Sequence, residues 1–239
     1  MSVMDVLRRF ATHVQAPSTL DETVAALEPF HDEIVSGLIE ALQSDEKLVQ
    51  LMALNVIQEK GAEIKDAVPA IVPMLQWDDR CVQVAAASAL GSIGSAASVA
   101  LPQLERMLDS DHEYTSYVAA CSILEIDRSS ETALSFIFSV LNNEVSPHKS
   151  FAANFLGHFG CVEAVADLRR LIDDEDACVR SEASLAIWRI TGDSSVAVAV
   201  GHKLLDDSDW LVRQIGVGHF QELFREPVVE CIEWEFGVE

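Results

Sequence analysis

Apolar residues along 75–94, LQWDDRCVQVAAASALGSIG, fall at helical spacing on either side of an acidic turn. Leu75 closes one amphipathic helix. Asp78 or Asp79 is placed to cap the next, where a carboxylate accepts orphan amide hydrogens at the positive end of the helix dipole. Val82, Ala86, Leu90 and Ile93 then form one buried stripe on a helix that runs to Gly91 or Gly94, with alanine where a neighbouring backbone comes close.

The pattern returns along the chain. With Leu75 as an anchor, the equivalent positions are Leu42, Leu75, Leu108, Leu141, Ile172 and Leu205, separated by 33, 33, 33, 31 and 33 residues. Seven residues before each stand Val35, Val68, Leu101, Leu134, Val165 and Val198; 11 after stand Ala53, Ala86, Ala119, Ala152, Ala183 and Gly216. Fifteen after come Ile57, Leu90, Ile123, Leu156, Ile187 and Phe220, and three after come Asp45, Asp78, Asp111, Glu144, Glu175 and Ser208. Four columns in one register mark a repeat array in which each helix pair buries its face on its neighbours.

The array has recognisable ends and one irregular unit. Val3, Leu7, Phe10 and Val14 make a helical stripe, and Asp5 interrupts its basic face, which favours a docked capping helix over a mitochondrial presequence. A second helix opens at Ser18 and ends near Pro29. The fourth unit places Pro147 and His148 where others carry a valine-bearing first turn, and the short interval falls at Gly160 and Cys161, so curvature is expected to change there. The expected organisation is one continuous domain: capping helices over 1–30, about six repeats over 31–224, and a cap or tail over 225–239 that fits a helix or a strand-like segment equally well.

Composition narrows the function. With 39 acidic and 16 basic residues the net charge is −23, so nucleic acid and anionic membranes are repelled and a partner with a basic surface is attracted. Cys81, Cys121, Cys161, Cys178 and Cys231 are odd in number and form no CxxC pair, which predicts reduced thiols and a cytoplasmic protein. No apolar run is expected to approach the roughly 18 residues of a membrane span.

The segments LPQLERMLDSD, DDRCVQVAAASALGSIG and DDEDACVRSEASLAIWRITG resemble the short HEAT repeats of the phycobilisome-lyase type over roughly 31–224. The resemblance implies an all-α fold, an α-α superhelix formed as a right-handed solenoid of about six helix pairs with N- and C-terminal caps. It also implies that second helices line the concave side, and that a turn Asp and an Arg after the following valine form a ladder between neighbouring repeats. Arg180 and Arg213 match that Arg, whereas Gln50 and Gln83 replace it.

Catalytic chemistry finds no support in the sequence. A di-iron hydroxylase on HEAT-like repeats needs several His-Glu pairs, and this chain has His112-Glu113 alone; a DNA glycosylase of this fold needs a basic face. His158 and Cys161 are half a metal site at best, and the clusters 173–176 and 206–209 lack the glycine and distal glutamate of a calcium loop, so N-capping explains them. No GxSxG, HExxH or phosphate-loop pattern occurs, and no cofactor or metal is expected.

A binding strip follows from the register. Positions 9, 13 and 16 beyond each anchor lie opposite the buried stripe and read Leu51, Asn55, Gln58; Val84, Ser88, Gly91; Tyr117, Cys121, Leu124; Ser150, Asn154, Gly157; Ser181, Leu185, Trp188; Gln214, Gly218, Gln221. None is charged. The expected contact residues for a protein segment are Leu51, Val84, Tyr117, Leu124, Asn154, Leu185, Trp188 and Gln214, with Tyr117, Leu185 and Trp188 as the energetic centre. The expected function is a non-enzymatic interaction or assembly scaffold. Alternatives are a bilin-lyase-like or chaperone subunit assisting a modifying enzyme, and an acidic inhibitor or immunity protein masking a basic enzyme.

Overall fold

The computed structural model describes residues 2–11, 17–31 and 33–224. They fall into two compact units, Met1–Ile137 and Phe138–Glu239, where the sequence pattern reads as one continuous domain. The first unit holds α1 (Val3–Ala11), α2 (Pro17–Leu27), and the pairs α3 (Ile34–Leu42) with α4 (Lys47–Lys60), α5 (Val68–Ile71) with α6 (Arg80–Ile93), and α7 (Leu101–Met107) with α8 (Glu113–Ile126). Helix α9 (Glu131–Leu141) crosses the boundary; the second unit continues with α10 (Lys149–Phe159), then α11 (Val165–Leu171) with α12 (Ala177–Thr191) and α13 (Ser195–Leu205) with α14 (Trp210–Leu223).

The small-residue column governs packing. Ala53, Ala86, Ala119, Ala152 and Ala183 are fully buried, and a Cβ at Gly216 would lie 2.9 Å from the backbone nitrogen of Leu205 on the paired helix. The apolar column fifteen residues after each anchor is buried as well, except Phe220, which is half-buried. On the first helices the predicted valine and leucine column lies mostly on the flank: of its members only Val68 is buried. The core is formed instead by Leu38, Ile71, Leu104, Ile137 and Leu168, four residues before their anchors, and by Ala67, Ala100, Ala133, Ala164 and Ala197. Side by side, α4, α6 and α8 pack in the first unit, and α10, α12 and α14 in the second.

Helix ends explain the acidic turns, one residue later than the acidic column. Asp79 caps α6 by accepting from the N–H of Cys81 and Val82 at 3.0 and 3.3 Å; Asp176 and Asp209 cap α12 and α14 at 2.7 and 2.8 Å. Before the last two caps, Asp174 and Asp207 accept the N–H of Asp176 and Asp209 at 2.9 and 2.8 Å. The short interval also has a local cause. Between α10 and α11 stand Gly160, Cys161 and the 3-10 turn Val162–Ala164, whereas the corresponding links in the first unit are the seven-residue 3-10 segments Gly61–Ala67 and Gly94–Ala100. Gly160 has φ +74, a left-handed conformation that releases α10 into this tighter turn.

The expected Asp–Arg ladder is replaced by two other devices. Eight residues after five of the six anchors, Gln50, Gln83, Ser116, Arg180 and Arg213 turn back on their own loop: Arg180 Nη1 donates to the carbonyls of Asp174 and Glu175 at 2.8 and 2.9 Å, and Arg213 Nη1 to those of Asp207 and Ser208, both at 2.8 Å. Neighbouring units of the pattern are joined by other pairs. These are Arg8 with Glu46 and Lys47 with Asp79 in the first unit, and Lys149 with Asp174 at 2.6 Å and Arg189 with Glu222 at 2.8 Å in the second.

The N-terminal helix docks as a cap, with Val3 and Leu7 buried against α3 and α4. Val3 approaches so closely that a Cβ at Gly37 would lie 2.4 Å from it. Val14 and the 225–239 tail lie outside the described residues. The expectation about apolar runs needs correction, because Arg80–Met107, 28 residues, is long and apolar enough to cross a membrane by length and composition. In the fold it is three segments, broken at Gly94 (φ +73), with Val82, Ala86, Leu90 and Ile93 packed in the core.

A bulky residue at the small-residue column has nowhere to go. Ala119→Leu is expected to destabilise the protein by about 1–3 kcal/mol in denaturant titration. Wild-type stability in this variant would remove Ala119 from the packing seam.

Candidate functional site

The open face of the second helices coincides only in part with the strip read in the sequence. Leu51, Asn55, Val84, Ser88, Cys121, Ser150 and Asn154 are half-exposed, and Gln58, Gln214, Gly218 and Gln221 are exposed. Tyr117, 8% exposed, Leu124 and Leu185 are buried, so none of the three presents the contact surface expected of it. Trp188 is half-buried, packed with Phe220 and Val198 against the core of Leu185, Ala197 and Leu223. The aromatics that emerge on the second helices are Phe151, Trp210 and Tyr114, the last 46% exposed and stacked on Tyr117 with ring centroids 6.3 Å apart.

The cause is lateral packing. A Cβ at Gly91 would meet Ser122 Cα of α8 at 3.0 Å, and one at Gly157 would meet Ala186 Cα of α12 at 2.7 Å. Position 16 after the anchor therefore forms the seam with the next second helix, and position 17 faces outward beside the half-exposed members of positions 9, 10 and 13. That line does carry charge, at Glu59, Glu125, Glu182, Arg189 and Glu222.

In the second unit this line encloses a cleft of about 320 Å³. Helix α10 supplies Asn154; α12 supplies Ser181, Glu182, Leu185 and Arg189; α14 supplies Ile215, Gly218, His219 and Glu222. Asn154 Nδ2 donates to Glu182 Oε2 at 2.8 Å, and Arg189 Nη2 donates to Glu222 Oε1 at 2.8 Å. Beneath them His219 is fixed on both sides: Nε2 lies 2.8 Å from the Ala197 carbonyl and Nδ1 lies 2.9 Å from Ser181 Oγ. A carbonyl only accepts, so Nε2 carries the proton and Nδ1 accepts from the serine hydroxyl. Burial pushes the His219 pKa below its ordinary 6.5. The serine thus donates to a neutral ring whose other nitrogen is held by a main-chain carbonyl, an arrangement that braces α12 against α14.

The remaining candidate chemistry resolves into structural roles. His158 Nδ1 sits 3.1 Å from the Asn154 carbonyl and Cys161 Sγ turns to Glu163 Oε2 at 3.4 Å, so the two do not converge. Among the described residues no cluster of three or more His, Cys, Asp or Glu is placed to hold a metal ion. Burial pushes the Cys121 thiol up to about 12 against the opposing effect of its hydrogen bond with the Tyr117 hydroxyl, and so keeps it protonated at neutral pH.

Helix pairs stacked through small-residue columns, with second helices side by side and an open line along them, define an α-α solenoid. The sequence profile of HEAT repeats matches residues 35–123 and 134–217, and the chain belongs to the HEAT-repeat family. No curated protein matches the chain in sequence. Among solved structures it is similar to the complex of CpcE and CpcF of phycocyanin lyase from Nostoc sp. PCC7120, at 20% identity and TM-score 0.56 over 77% of this chain and 75% of the other. An engineered protein matches at 20% identity and TM-score 0.47, covering 81% and 100% of the two chains. A designed armadillo repeat protein in complex with the peptide (KR)4 matches at 16% identity and TM-score 0.39, covering 92% and 99%. The likeness to the lyase complex is one of fold.

Because folded His219 resists protonation while the unfolded chain accepts it near pH 6.5, the unfolded state binds more protons below that value. Stability from this residue is complete above pH 6.5 and declines as pH falls. His219→Gln, which keeps one donor and one acceptor, is expected to flatten the fall in melting temperature between pH 7 and pH 5 relative to wild type. Parallel pH profiles would show that His219 is not held neutral.

Proposed function

We propose that the chain is a non-enzymatic interaction module that binds a segment of a partner protein along the open face of its second helices. The observation that carries this reading is the half-exposed, uncharged set Leu51, Asn55, Val84, Ser88 and Cys121 in the first unit, beside which only Glu59 and Glu125 bring charge to the open line, in a protein of net charge −23. Solvated helix faces normally carry charge, and Leu48 and Tyr114 add exposed apolar surface at the start of the same helices. The reading includes a cytoplasmic location, where the free thiols of Cys81, Cys121, Cys161 and Cys178 stay reduced, and a partner that is a protein rather than nucleic acid or membrane.

A second reading makes the chain a subunit that assists a modifying enzyme. It is favoured by the fold shared with the phycocyanin lyase complex, itself an assembly of CpcE with CpcF.

The test places a photo-crosslinking residue at Asn55 or Ser88, and as a control at Glu105, which is exposed on the first-helix side. The inner positions are expected to trap one protein that the control does not, and the purified partner should bind Ser88→Arg at least tenfold more weakly. Crosslinks from Glu105 alone, or full affinity in Ser88→Arg, would place the interface elsewhere.

A further inference from the structure

We propose that the cleft between α10, α12 and α14 receives a lysine or arginine residue from an extended segment of a partner protein. This deepens the reading of the second-helix face as a protein-binding surface and rests on it. Its support is independent of the apolar positions of the first unit.

Arg189 is the first observation. Its side chain is only 7% exposed in the cleft wall; Nη2 is held by Glu222, and Nη1 is buried and meets no protein acceptor. A buried guanidinium nitrogen without an acceptor is costly, and a carbonyl entering the cleft supplies one once the guanidinium turns toward it.

Gly218 is the second. Among the described residues, Gly37, Gly91, Gly157, Gly201 and Gly216 each lie on a helix where an added Cβ would come within 3 Å of a neighbouring residue. At Gly218, in the interior of α14, an added Cβ would meet nothing within 4 Å. A helix-interior glycine that packing does not require sacrifices helix propensity, and here it widens the cleft that it lines.

The hydrogen-bonding inventory selects the occupant. Glu182 and Glu222 each have one oxygen engaged, by Asn154 and Arg189 respectively, which leaves carboxylate oxygens able to accept; His219 is neutral in the floor. Arg189 against two carboxylates gives the cleft a net negative charge within a chain at −23, so an acidic side chain is repelled and a basic one attracted. A basic side chain lying between the carboxylates, with its own main-chain carbonyl toward Arg189, matches the spare acceptors and the spare donor together. The volume, about 320 Å³, is at the small end of ligand-sized sites and suits one long side chain with its backbone.

The test uses a dye-labelled, end-capped peptide of alternating lysine and glycine, titrated by fluorescence anisotropy against the full chain. Companion peptides carry acetyl-lysine, glutamate, or the sequence of residues 226–239. The lysine peptide is expected to bind, and acetylation is expected to abolish binding. Glu182→Gln and Gly218→Leu should each weaken it at least tenfold with circular dichroism and melting temperature unchanged, while Glu59→Gln, which removes the same charge from the first unit, should leave it intact. Equal losses in Glu182→Gln and Glu59→Gln would reduce the effect to overall charge and overturn the proposal. Tighter binding of the glutamate or 226–239 peptide would overturn it by naming a different occupant, as would no binding at all. None of those outcomes touches the crosslinks at Asn55 and Ser88, so the failure of this site is separable from failure of the wider reading.

Discussion

The molecule depends on how closely its helices can approach. At the position 11 residues after each anchor nothing larger than a methyl group is present, and those methyls are fully buried. Alanines on the first helices or ending the 3-10 segments just before them, Ala67, Ala100, Ala133, Ala164 and Ala197, are equally buried. Close approach brings the next second helix into contact as well, through Gly91 and Gly157. Within their units α6 and α12 are therefore enclosed by second helices on both flanks, and the surface left there for binding is a narrow line. Interiors packed this tightly tolerate little change in volume.

Charge follows the same geometry. Asp79, Asp176 and Asp209 are engaged at helix N-termini, where the dipole favours them, and the side chains of Arg180 and Arg213 close the turns before those helices. Pairs such as Arg8 with Glu46, half-exposed on both sides, are screened by solvent and contribute little to stability. Lys149 with Asp174 is different in kind: both side chains are nearly nine-tenths buried, and although burial alone would raise the Asp174 pKa, hydrogen bonds from Lys149 and the Asp176 N–H hold it below the usual carboxylate range. The acidic turns are thus part of helix termination, and the cleft is where carboxylates stand beside an incompletely bonded guanidinium.

Period, helix pairs, the alanine column and the capping of α1 were all legible in the sequence, because each depends on residues that recur within one chain segment. The orientation of the open face was not. A single helix with a buried stripe predicts that the opposite side is open; a helix flanked by neighbours loses part of that side, and Leu124, Leu185 and Trp188 were misplaced for this reason. Glycine at 91 and 157 was the available signal, since small residues at the same register position mark close contact. Arg180 and Arg213 matched a ladder motif yet bond their own turns, because a side chain reaches the carbonyls five and six residues back as readily as a neighbour. In the cleft Arg189 and Glu222 stand one 33-residue period apart, but Asn154 with Glu182 and Ser181 with His219 are 28 and 38 positions apart, and the period does not encode those pairs.

The central claim is that partners are recognised on the second-helix face rather than on the acidic turns. Backbone amide chemical-shift mapping of the isotopically labelled chain during titration with the lysine peptide tests it directly. The account predicts the largest shifts at Asn154, Glu182, Arg189 and Gly218, with the turns 173–176 and 206–209 little affected. Shifts concentrated in those turns and absent from the cleft would contradict it.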